Sequence, residues 1–285
     1  MLMNKNVTII ILTHKSKNLA IDYIKNLYQK FKIIIIDNSN DFELEKIIKK
    51  NFPGVDIYLI PNNGYSNQIN YGVKFVRTKY FLISNPDVKG VDELNILHFI
   101  SAAKKLDDKF SVLGPRYLYV NPKTLKQSES DNDIAEMRFL SGACMFFLKK
   151  NYDLIGGFDD NFFLYFEEND FCKRSIKFYK NYQINKIKLH HNAGNSVTSK
   201  NDIEIQDQRD LRSWHFVWSK FYYYRKNYNY LFAIIYFFPI LLRTSVKYFF
   251  YSFKKDEINS HKYKNRLDGM ISSIQKKKSH KRPKY

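Results

Sequence analysis

The chain has 285 residues, of which 44% are hydrophobic, so it can bury the core of one large α/β domain with an appendage or of two small domains. Its net charge of +19 favours anionic partners: nucleic acid, anionic lipid or phosphorylated substrates. The two cysteines, Cys144 and Cys172, form no CxxC pair, which excludes a zinc or redox motif of that type and fits a reducing, cytoplasmic compartment.

The amino-terminal part of the chain alternates between the patterns of buried strands and of helices. The pattern predicts strands at 7–12, 32–36, 55–60 and 80–83 and helices at 17–30, 42–51 and 64–76. The first apolar run is shorter than the core of a secretory signal, so we interpret it as a buried strand. The alternation predicts an α/β fold with a mostly parallel sheet and helices on both faces.

Polar residues follow the predicted strands at the edge where sheets of this kind bind ligands. They are Thr13, His14, Asp37, Asn38, Asn85 and Asp87. Beyond this point the alternation stops. The pattern there predicts a helix at 92–106, short strands at 111–113 and 139–148, a polar loop at 128–136 and an aromatic helix at 207–228.

The Asn85-Pro86-Asp87 tripeptide after the fourth predicted strand has two interpretations. A carboxylate at this edge can bind Mg²⁺ or Mn²⁺, which prefer oxygen ligands together with water and substrate phosphates. Asn-Pro-Asp is also good turn chemistry, and the tripeptide alone favours a strand-ending turn.

Residues 158–170 combine aromatic side chains with the carboxylates of Glu167, Glu168 and Asp170. Apolar surroundings and neighbouring carboxylates both raise the pKa of a carboxyl group, which is how a general base is tuned to the working pH. Acidic residues also favour the first turn of a helix, so a structural role is equally open.

The His190-His191 pair precedes a short loop that contains Gly194 and Ser196. Neutral imidazole is a common metal ligand, and a Gly/Ser loop can approach phosphates closely. Two histidines at a strand end are more often structural or exposed, so the pair alone does not define a metal site.

Taken in order, these features resemble the successive motifs of family 2 glycosyltransferases, and most closely those of the rhamnosyltransferase-like branch that builds bacterial cell-surface polysaccharides. The resemblance covers about residues 5–200. It depends on the strings IIILTHKS (9–16), IIIIDNSND (33–41), PNNGYSNQINYGV (61–73), FLISNPDV (81–88), FLSGACMFFLKK (139–150), IGGFDDNFFLYFEENDFCKR (155–174) and LHHNAGNS (189–196). Several motifs in one order are far more specific than any single motif.

The resemblance implies a GT-A fold, in which a nucleotide-binding α/β half is joined to an acceptor-binding half. It implies that Thr13 and Asp37 contact the nucleotide, with Asp37 near the base or ribose. By the same resemblance, Asn63, Gly64 and Asn70 line the pocket for the nucleotide and sugar.

The resemblance also implies a metal site for Mg²⁺ or Mn²⁺. Asp87 matches the last acid of the family's DxD-type motif and would bind the metal that bridges the two phosphates. Asn85 stands where many relatives have Asp, but Asn-Pro-Asp is common in this branch. His191 would complete the metal shell or touch the diphosphate, and the spacing to Gly194 and Ser196 favours it over its neighbour.

For the reaction itself, the resemblance assigns the general base to Glu168, with Glu167 as the neighbouring candidate. Many relatives have Asp at this position. Asp170 would support the start of a helix or bind the acceptor, and Gly142 would line the acceptor site.

The carboxy-terminal third combines aromatic, apolar and basic residues. The apolar stretch 230–242 is shorter than the roughly 20 residues of a spanning helix, and Pro239, Arg243 and Lys247 interrupt an extension. This composition predicts interfacial helices at the inner face of the cytoplasmic membrane. Residues 243–285 contain thirteen basic and three acidic residues, which anionic lipid would attract. The alternative is that the helices pack on the catalytic domain and the tail is disordered.

The predicted organisation is a GT-A domain at 1–205, an aromatic and apolar helical extension at 206–255 and a flexible basic tail at 256–285. The predicted function is inverting transfer of a sugar, rhamnose or similar, from dTDP-rhamnose or a UDP-sugar to a glycan or lipid-linked acceptor.

Two other classes of protein remain as alternatives. A nucleic-acid-binding protein would explain the charge, but the charge is concentrated in the tail and no recognition motif occurs, so we expect no nucleic acid partner. A nucleotidyltransferase would need a basic, glycine-rich loop after the first strand, where THKSKN has no glycine. The absence of GxGxxG there excludes a dehydrogenase.

Overall fold

The computed structural model describes residues 4–119, 127–130, 132–191 and 201–284. The chain forms two compact units. Among the described residues, the first unit comprises 4–63, 67–158 and 171–191, and the second comprises 64–66, 159–170 and 201–284.

Within the described residues, nine strands form one sheet in the first unit. They are β1 (Asn4–Thr13), β2 (Phe31–Asp37), β3 (Val55–Leu59), β4 (Tyr80–Ser84), β5 (Val88–Lys89), β6 (Val112–Leu118), β7 (Ile134–Met137), β8 (Cys144–Leu148) and β9 (Asn181–His191). Their order is β3-β2-β1-β4-β8-β6-β9-β5, with β7 also paired to β9. The first four strands are mutually parallel, whereas β8 is antiparallel to both of its neighbours. The predicted α/β fold is confirmed, with a sheet that is parallel in its first half and mixed beyond it.

Helices α1 (Lys17–Ile24), α2 (Phe42–Asn51) and α3 (Tyr65–Val73) connect the four parallel strands as the alternation predicts. Three more helices follow later in the chain: α4 (Glu93–Lys105), α5 (Lys149–Ile155) and α6 (Glu167–Ser175). The side chain of Asp41 caps α2 and that of Asp92 caps α4, each accepting a hydrogen bond from a backbone N–H three residues later. The first helix is shorter than predicted, because the chain leaves it through turns at Leu27 and Lys30 before β2 begins.

The core of the first unit consists of the continuous apolar runs of the central strands. Ile9, Ile33 and Leu82 are fully buried, as expected for parallel strands that are covered on both faces. Helix α3 lies so close to the sheet that a Cβ at Gly72 would be 2.9 Å from a side-chain carbon of Ile10. The central strands are therefore a rigid support for the residues at their carboxyl ends.

Two predicted elements differ from the structure in this half of the chain. The polar loop predicted at 128–136 contains the start of β7, which is held to the edge of the sheet by pairing with β9. The strand predicted at 139–148 begins only at Cys144. Residues before it form a turn in which the Ala143 carbonyl accepts a hydrogen bond from the Asn85 N–H at 2.9 Å.

The second unit contains three long helices, α7 (Asp202–Asn227), α8 (Tyr230–Phe253) and α9 (Glu257–Ile274). They share a small apolar cluster formed by Val217, Phe221, Ala233, Phe237 and Met270. The helices α7 and α9 approach closely, since a Cβ at Gly269 would lie 2.4 Å from the carbonyl oxygen of Trp214. The indole N–H of Trp214 donates to the Asp268 carboxylate at 2.7 Å, which fixes the same crossing.

The predicted interruption of the apolar segment by Pro239, Arg243 and Lys247 is wrong, because α8 continues through all three residues. One proline removes one backbone hydrogen bond, and buried Phe237 and Thr244 secure the helix on either side of it. In length and composition α8 meets the requirements of a membrane-spanning helix.

The predicted flexible tail at 256–285 is also wrong for most of its length. Residues 257–274 form α9, and the chain beyond it packs back on α7. The Trp218 indole N–H donates to the Lys277 carbonyl at 3.2 Å, and the His215 ring nitrogen Nε2 lies 2.9 Å from the Lys281 carbonyl oxygen. The positive charge of this region is therefore displayed on an ordered helix and the segment after it.

Candidate active site

The first unit brings Asp87 and His191 together at the carboxyl edge of the sheet. Oδ1 of Asp87 lies 3.6 Å from Nε2 of His191. The pairing of β5 with β9 explains this proximity, because Val88 is the register partner of His191. Asp87 is 3% exposed. Neither of its carboxylate oxygens accepts a hydrogen bond from the described residues.

A buried carboxylate without a hydrogen-bond donor is unfavourable unless a cation compensates it. Among the described residues, no group of three or more His, Cys, Asp or Glu side chains could hold a metal ion. Asp87 and His191 fit a Mg²⁺ or Mn²⁺ ion that takes its other ligands from water and substrate phosphates. The neighbouring His190 is exposed and stacks on Tyr119 at 5.4 Å between ring centroids. Gly194 and Ser196 lie outside the described residues.

Asn85 and Gly142 lie close to this site. Asn85 begins the turn that contains Asp87, and its N–H bonds to the carbonyl of the residue that follows Gly142. The two positions come together because Ser84 in β4 is the register partner of Cys144 in β8. Both are partly exposed, so they are available to line a ligand site.

Thr13 and Asp37 end adjacent strands and are register partners. Both are fully buried. The Asp37 carboxylate accepts hydrogen bonds from the hydroxyls of Thr13 and Ser39 and from the backbone N–H groups of Ser39 and Asp41, at 2.8–3.1 Å. A carboxylate has about four acceptor positions, so these donors use its full capacity. The geometry favours a role in fixing the loop after β2 over the predicted direct contact with a nucleotide.

The polar residues around this loop include Gln68, which the sequence did not single out, and Asn38, which it did. Gln68 in α3 donates to the Thr13 carbonyl at 3.0 Å and to the Ile36 carbonyl at 2.5 Å. Asn38 donates to Asn62 at 3.1 Å, and its carbonyl oxygen lies 2.7 Å from Nδ1 of His14. Burial lowers the pKa of His14, and the hydrogen bond with Asn38 only partly offsets this effect.

The side chain of Asn70 forms hydrogen bonds to other residues of the protein. Its Nδ2 donates to the Phe158 carbonyl at 2.9 Å, and its Oδ1 accepts from the Phe158 N–H and from the Tyr152 hydroxyl at 3.1 and 2.7 Å. The predicted role in lining a sugar pocket is therefore less favoured than a role in holding residues 157–158. Asn63 is exposed, which leaves its predicted contact with the donor open.

In the second unit, Gly64 lies directly against Phe163. Gly64 has φ = +101°, and a Cβ there would lie 2.5 Å from the Phe163 Cα. The next N–H, of Tyr65, donates to the Phe163 carbonyl at 2.8 Å. No residue with a Cβ fits at position 64, because the backbone of the segment Asp159–Asp170 occupies the space that the Cβ would need. We call this segment the acidic segment.

The acidic segment contains Glu167 and Glu168 at the start of α6. Glu167 is 5% exposed, and its Oε2 has no hydrogen-bond partner in the described part of the chain. Burial and the charge of Glu168 raise the pKa of Glu167 well above its usual range. Burial also raises the pKa of Glu168, to about 7, and backbone hydrogen bonds oppose that rise. Glu168 is partly exposed. A partly exposed residue whose carboxyl group has a raised pKa is suited to accept a proton from a substrate.

Asp170 has a different environment. It is fully buried, accepts from Lys226 at 2.8 Å, and accepts from Asn227 at 3.1 Å. These partners favour the structural role over the predicted acceptor-binding role.

Solved structures place the fold in a known class. One is the mannosyltransferase PcManGT from Pyrobaculum calidifontis in complex with GDP-Man and Mn²⁺, with a TM-score of 0.58 and 13% identity over 97% of this chain and 90% of that chain. Another is the fragment 1–349 of S. aureus TarS in complex with UDP-GlcNAc, with a TM-score of 0.53 and 13% identity over 95% of this chain and 92% of that fragment. The fold is the GT-A fold of glycosyltransferases.

The sequence narrows the class to one family. The model of glycosyl transferase family 2 matches residues 8–168, which are more than half of the chain, and the protein belongs to that family. The low-salt glycan biosynthesis hexosyltransferase Agl10 of Haloferax volcanii is 25% identical over an alignment of 205 positions, and the match covers 61% of this chain and 62% of Agl10. The rhamnosyltransferase WbbL of Escherichia coli is 27% identical over an alignment of 205 positions, and the match covers 59% of this chain and 76% of WbbL.

Proposed function

We propose that the protein is an inverting glycosyltransferase that moves a sugar from a nucleotide-diphosphate donor to a hydroxyl group of a glycan or lipid-linked acceptor during cell-surface polysaccharide synthesis. Membership of family 2 supports the reaction class. The observation that supports it most directly is the buried Asp87 carboxylate, which faces His191 and has no hydrogen-bond donor among the described residues.

Asp87 and His191 would hold Mg²⁺ or Mn²⁺. Such an ion, when bound, neutralises the charge that develops on the leaving diphosphate. The loop that Asp37 fixes, together with Asn63 and Asn85, would surround the nucleotide. The donor is dTDP-rhamnose or a UDP-sugar, and the similarity to a protein named rhamnosyltransferase supports the first choice.

Glu168 is the general base in this proposal. It takes the proton of an acceptor hydroxyl while that oxygen bonds to the anomeric carbon, and the bond from that carbon to the diphosphate breaks with its electron pair. One displacement inverts the anomeric configuration and needs no covalent intermediate on the enzyme. A pKa of about 7 suits the task, because a base works best when its pKa lies near the operating pH. Glu167 is the alternative base.

A donor panel tests the proposal. Binding and hydrolysis of dTDP-rhamnose, UDP-sugars and GDP-mannose are measured with Mn²⁺, Mg²⁺ or EDTA, for the wild type and for Asp87→Ala. Metal-dependent binding of one donor that Asp87→Ala abolishes is the expected result, and it also identifies the nucleotide. Binding of no donor with either metal would overturn both the reaction class and the metal site.

We also infer that α8 lies on the anionic inner surface of the cytoplasmic membrane. One face of α8 exposes apolar side chains at intervals of three or four residues along its whole length. They are Leu231, Ile235, Phe238, Leu242, Val246, Phe249 and Phe253, which are 52–89% exposed. The opposite face, with Ala233 and Phe237, packs against helices of the same unit.

This packing supports an orientation in the membrane plane. A spanning orientation would carry α9 into the bilayer together with exposed cations such as Lys262 and Lys264, at a high cost in hydration. In the membrane plane, the apolar face of α8 enters the acyl boundary, and the cations of α8 and α9 attract anionic headgroups.

Vesicle sedimentation tests this inference with the full chain. We expect binding to vesicles of phosphatidylglycerol and phosphatidylcholine, weaker binding to pure phosphatidylcholine, and loss of binding in the double variant Ile235→Glu/Phe249→Glu. The control is Phe42→Glu, because Phe42 is 70% exposed on α2 in the first unit. Equal binding by the double variant and the control would contradict the membrane role of α8, and self-association removed by the double variant would assign the face to a second copy of the chain.

A further inference from the structure

The acidic segment has a conformation that its own residues do not favour. Tyr165 and Phe166, the two residues before Glu167, have φ of +70° and +67°. Residues with a Cβ rarely adopt this left-handed conformation, and they keep it only where the surrounding structure holds them. The direction in which Glu167 and Glu168 leave the segment therefore depends on contacts made elsewhere.

Lys226 near the end of α7 contacts both ends of the acidic segment. Its Nζ lies 2.7 Å from Oδ2 of Asp159 and 2.8 Å from Oδ2 of Asp170, the first and last residues of the segment. Asp170 is fully buried, and 14% of the Asp159 side chain is exposed. One ammonium group thus joins two carboxylates that are eleven positions apart in sequence and would otherwise repel each other.

Neighbouring side chains form further hydrogen bonds to the same two carboxylates. The Tyr222 hydroxyl donates to Oδ2 of Asp159 at 2.9 Å, and Asn227 donates to Oδ1 of Asp170 at 3.1 Å. The Asp170 N–H donates to the Phe166 carbonyl at 2.9 Å. The ion pair at Asp170 is therefore linked directly to one of the two left-handed residues.

The same face of α7 supports the middle of the segment. His215 stacks on Phe163 with ring centroids 4.5 Å apart, and the Ser219 hydroxyl donates to the Leu164 carbonyl at 2.8 Å. Positions 215, 219, 222 and 226 are separated by three or four residues, so they lie along one face of the helix. A rigid helix therefore determines the path of the whole segment.

We propose that Lys226 is a positioning residue, which fixes the acidic segment on α7 through Asp159 and Asp170 and thereby sets the placement of the Glu168 carboxylate. This inference rests on the proposed role of Glu168 as the base. Lys226 does not act on the substrate. Its loss removes an ion pair from each end of the segment, and the carboxylate that must meet the acceptor hydroxyl is held less firmly in one place.

The test compares Lys226→Met, Lys226→Arg and Lys220→Met in the full chain. Lys220 is the matched control, because it lies on α7, is partly exposed and contacts the ring of Phe237, not the acidic segment. The first readout is amide hydrogen exchange. We expect exchange of residues 164–170 to accelerate at least tenfold in Lys226→Met, with the strands unchanged, and to remain at the wild-type rate in Lys226→Arg and Lys220→Met.

The second readout is turnover of the donor that the panel identifies, together with binding of UDP or dTDP in the presence of Mn²⁺. We expect kcat of Lys226→Met to fall at least tenfold while nucleotide affinity stays within twofold, and Lys226→Arg to recover most of kcat. If Lys226→Met does not fold, Lys226→Met combined with Asp159→Asn and Asp170→Asn removes the unpaired charges, and the same changes in exchange and kcat are expected.

Unchanged exchange of residues 164–170 in the folded variant would overturn the proposal. So would accelerated exchange with an unchanged kcat, provided that Glu168→Gln is inactive. If Glu168→Gln also retains full kcat, the assignment of the base has failed, and the exchange data still decide whether Lys226 holds the segment.

Discussion

Asp87 points a carboxylate oxygen at Nε2 of His191 from 3.6 Å, and neither oxygen of that carboxylate receives a hydrogen bond from the described residues. The two side chains are far apart in sequence, and the pairing of β5 with β9 brings them together. A buried carboxylate that accepts no hydrogen bond from the described residues is unfavourable unless a cation compensates it. Metal binding and the stability of the fold should therefore be linked at this position.

The substitution Asp87→Asn keeps the shape of the side chain and removes its charge. We expect Mn²⁺-dependent affinity for UDP or dTDP to fall by about 100-fold or more, because a metal–phosphate contact contributes several kcal/mol. We also expect the free energy of unfolding without metal to stay constant or rise. Calorimetric titration and urea unfolding measure the two effects. The control is Asp22→Asn, whose exposed carboxylate forms an ion pair with Lys25, and equal nucleotide affinity in both variants would contradict the metal site.

The substitution Glu168→Gln tests the general base. We expect kcat to fall by ~10²–10⁴-fold, the usual contribution of general base catalysis, with nucleotide affinity unchanged. Glu167→Gln is the matched control, because it replaces the neighbouring buried carboxylate in the same turn of α6. A larger loss of kcat in Glu167→Gln than in Glu168→Gln would transfer the role of base to Glu167.

The pH dependence of kcat in the wild-type enzyme should follow the protonation of the Glu168 carboxyl group. Burial raises the pKa of Glu168 to about 7, and only the deprotonated form accepts a proton. The rate should therefore be nearly constant above that pKa and fall about tenfold for each pH unit well below it. A profile of kcat between pH 5 and 9 with saturating donor measures this. A rate that does not change between pH 5 and 7 would show that no group with this pKa limits the reaction.

The sequence predicted the parallel half of the fold well, because β1, β2 and β4 are mostly apolar and end at the polar residues Thr13, Asp37 and Ser84. It located Asp87 and His191 but could not show that they face each other, because their proximity depends on a β5–β9 pairing between distant segments. It could not reveal that Thr13 and Asp37, which the resemblance assigns to nucleotide binding, form a hydrogen bond with each other.

The carboxy-terminal part was less predictable from the sequence. Composition alone suggested a flexible basic tail, whereas α9 is held by contacts such as that of Gly269 against Trp214, which only the folded chain creates. Lys226 had no distinguishing pattern among the many lysines of the sequence. Its importance depends on Asp159 and Asp170 lying on either side of its ammonium group.

Gly64 provides a test of how tightly the acidic segment is packed. Gly64→Ala introduces a Cβ 2.5 Å from the Phe163 Cα, whereas Gly54→Ala introduces one with nothing within 4 Å, and both glycines have positive φ. Left-handed strain alone costs an alanine about 1–2 kcal/mol. We expect Gly54→Ala to lose about that much unfolding free energy, and Gly64→Ala to lose clearly more because the backbone of Phe163 must move.

Urea unfolding of the two glycine variants measures the difference, and donor turnover measures its consequence for the site. Gly64→Ala should also lower kcat, because the displaced segment carries Glu168. Equal losses of unfolding free energy in the two variants would mean that the backbone of the acidic segment moves away from the new Cβ without loss of stability. That result would contradict close packing at Phe163.

The pH dependence of stability should report His215, which connects α7 to the end of the chain. Burial lowers the pKa of His215 to about 3, with a smaller contribution from the charge of Arg282 and against the effect of a hydrogen bond to the Lys281 carbonyl. The unfolded chain therefore binds a proton near pH 6.5 that the folded chain does not bind. Stability from this group is fully present above pH 6.5 and decreases as the pH falls towards 3, by about 1.4 kcal/mol per unit.

Urea unfolding of the wild type and of His215→Phe at pH 7 and pH 5 measures this contribution. About 1.5 of the two pH units between pH 7 and pH 5 lie below the pKa of the histidine in the unfolded chain. The wild type should therefore lose about 2 kcal/mol more unfolding free energy than His215→Phe between pH 7 and pH 5. His261→Phe, at an exposed position on α9, should follow the wild type. If His215→Phe loses as much stability on acidification as the wild type does, then His215 is protonated in the folded protein and its packing between Phe163 and residues 279–281 must open in acid.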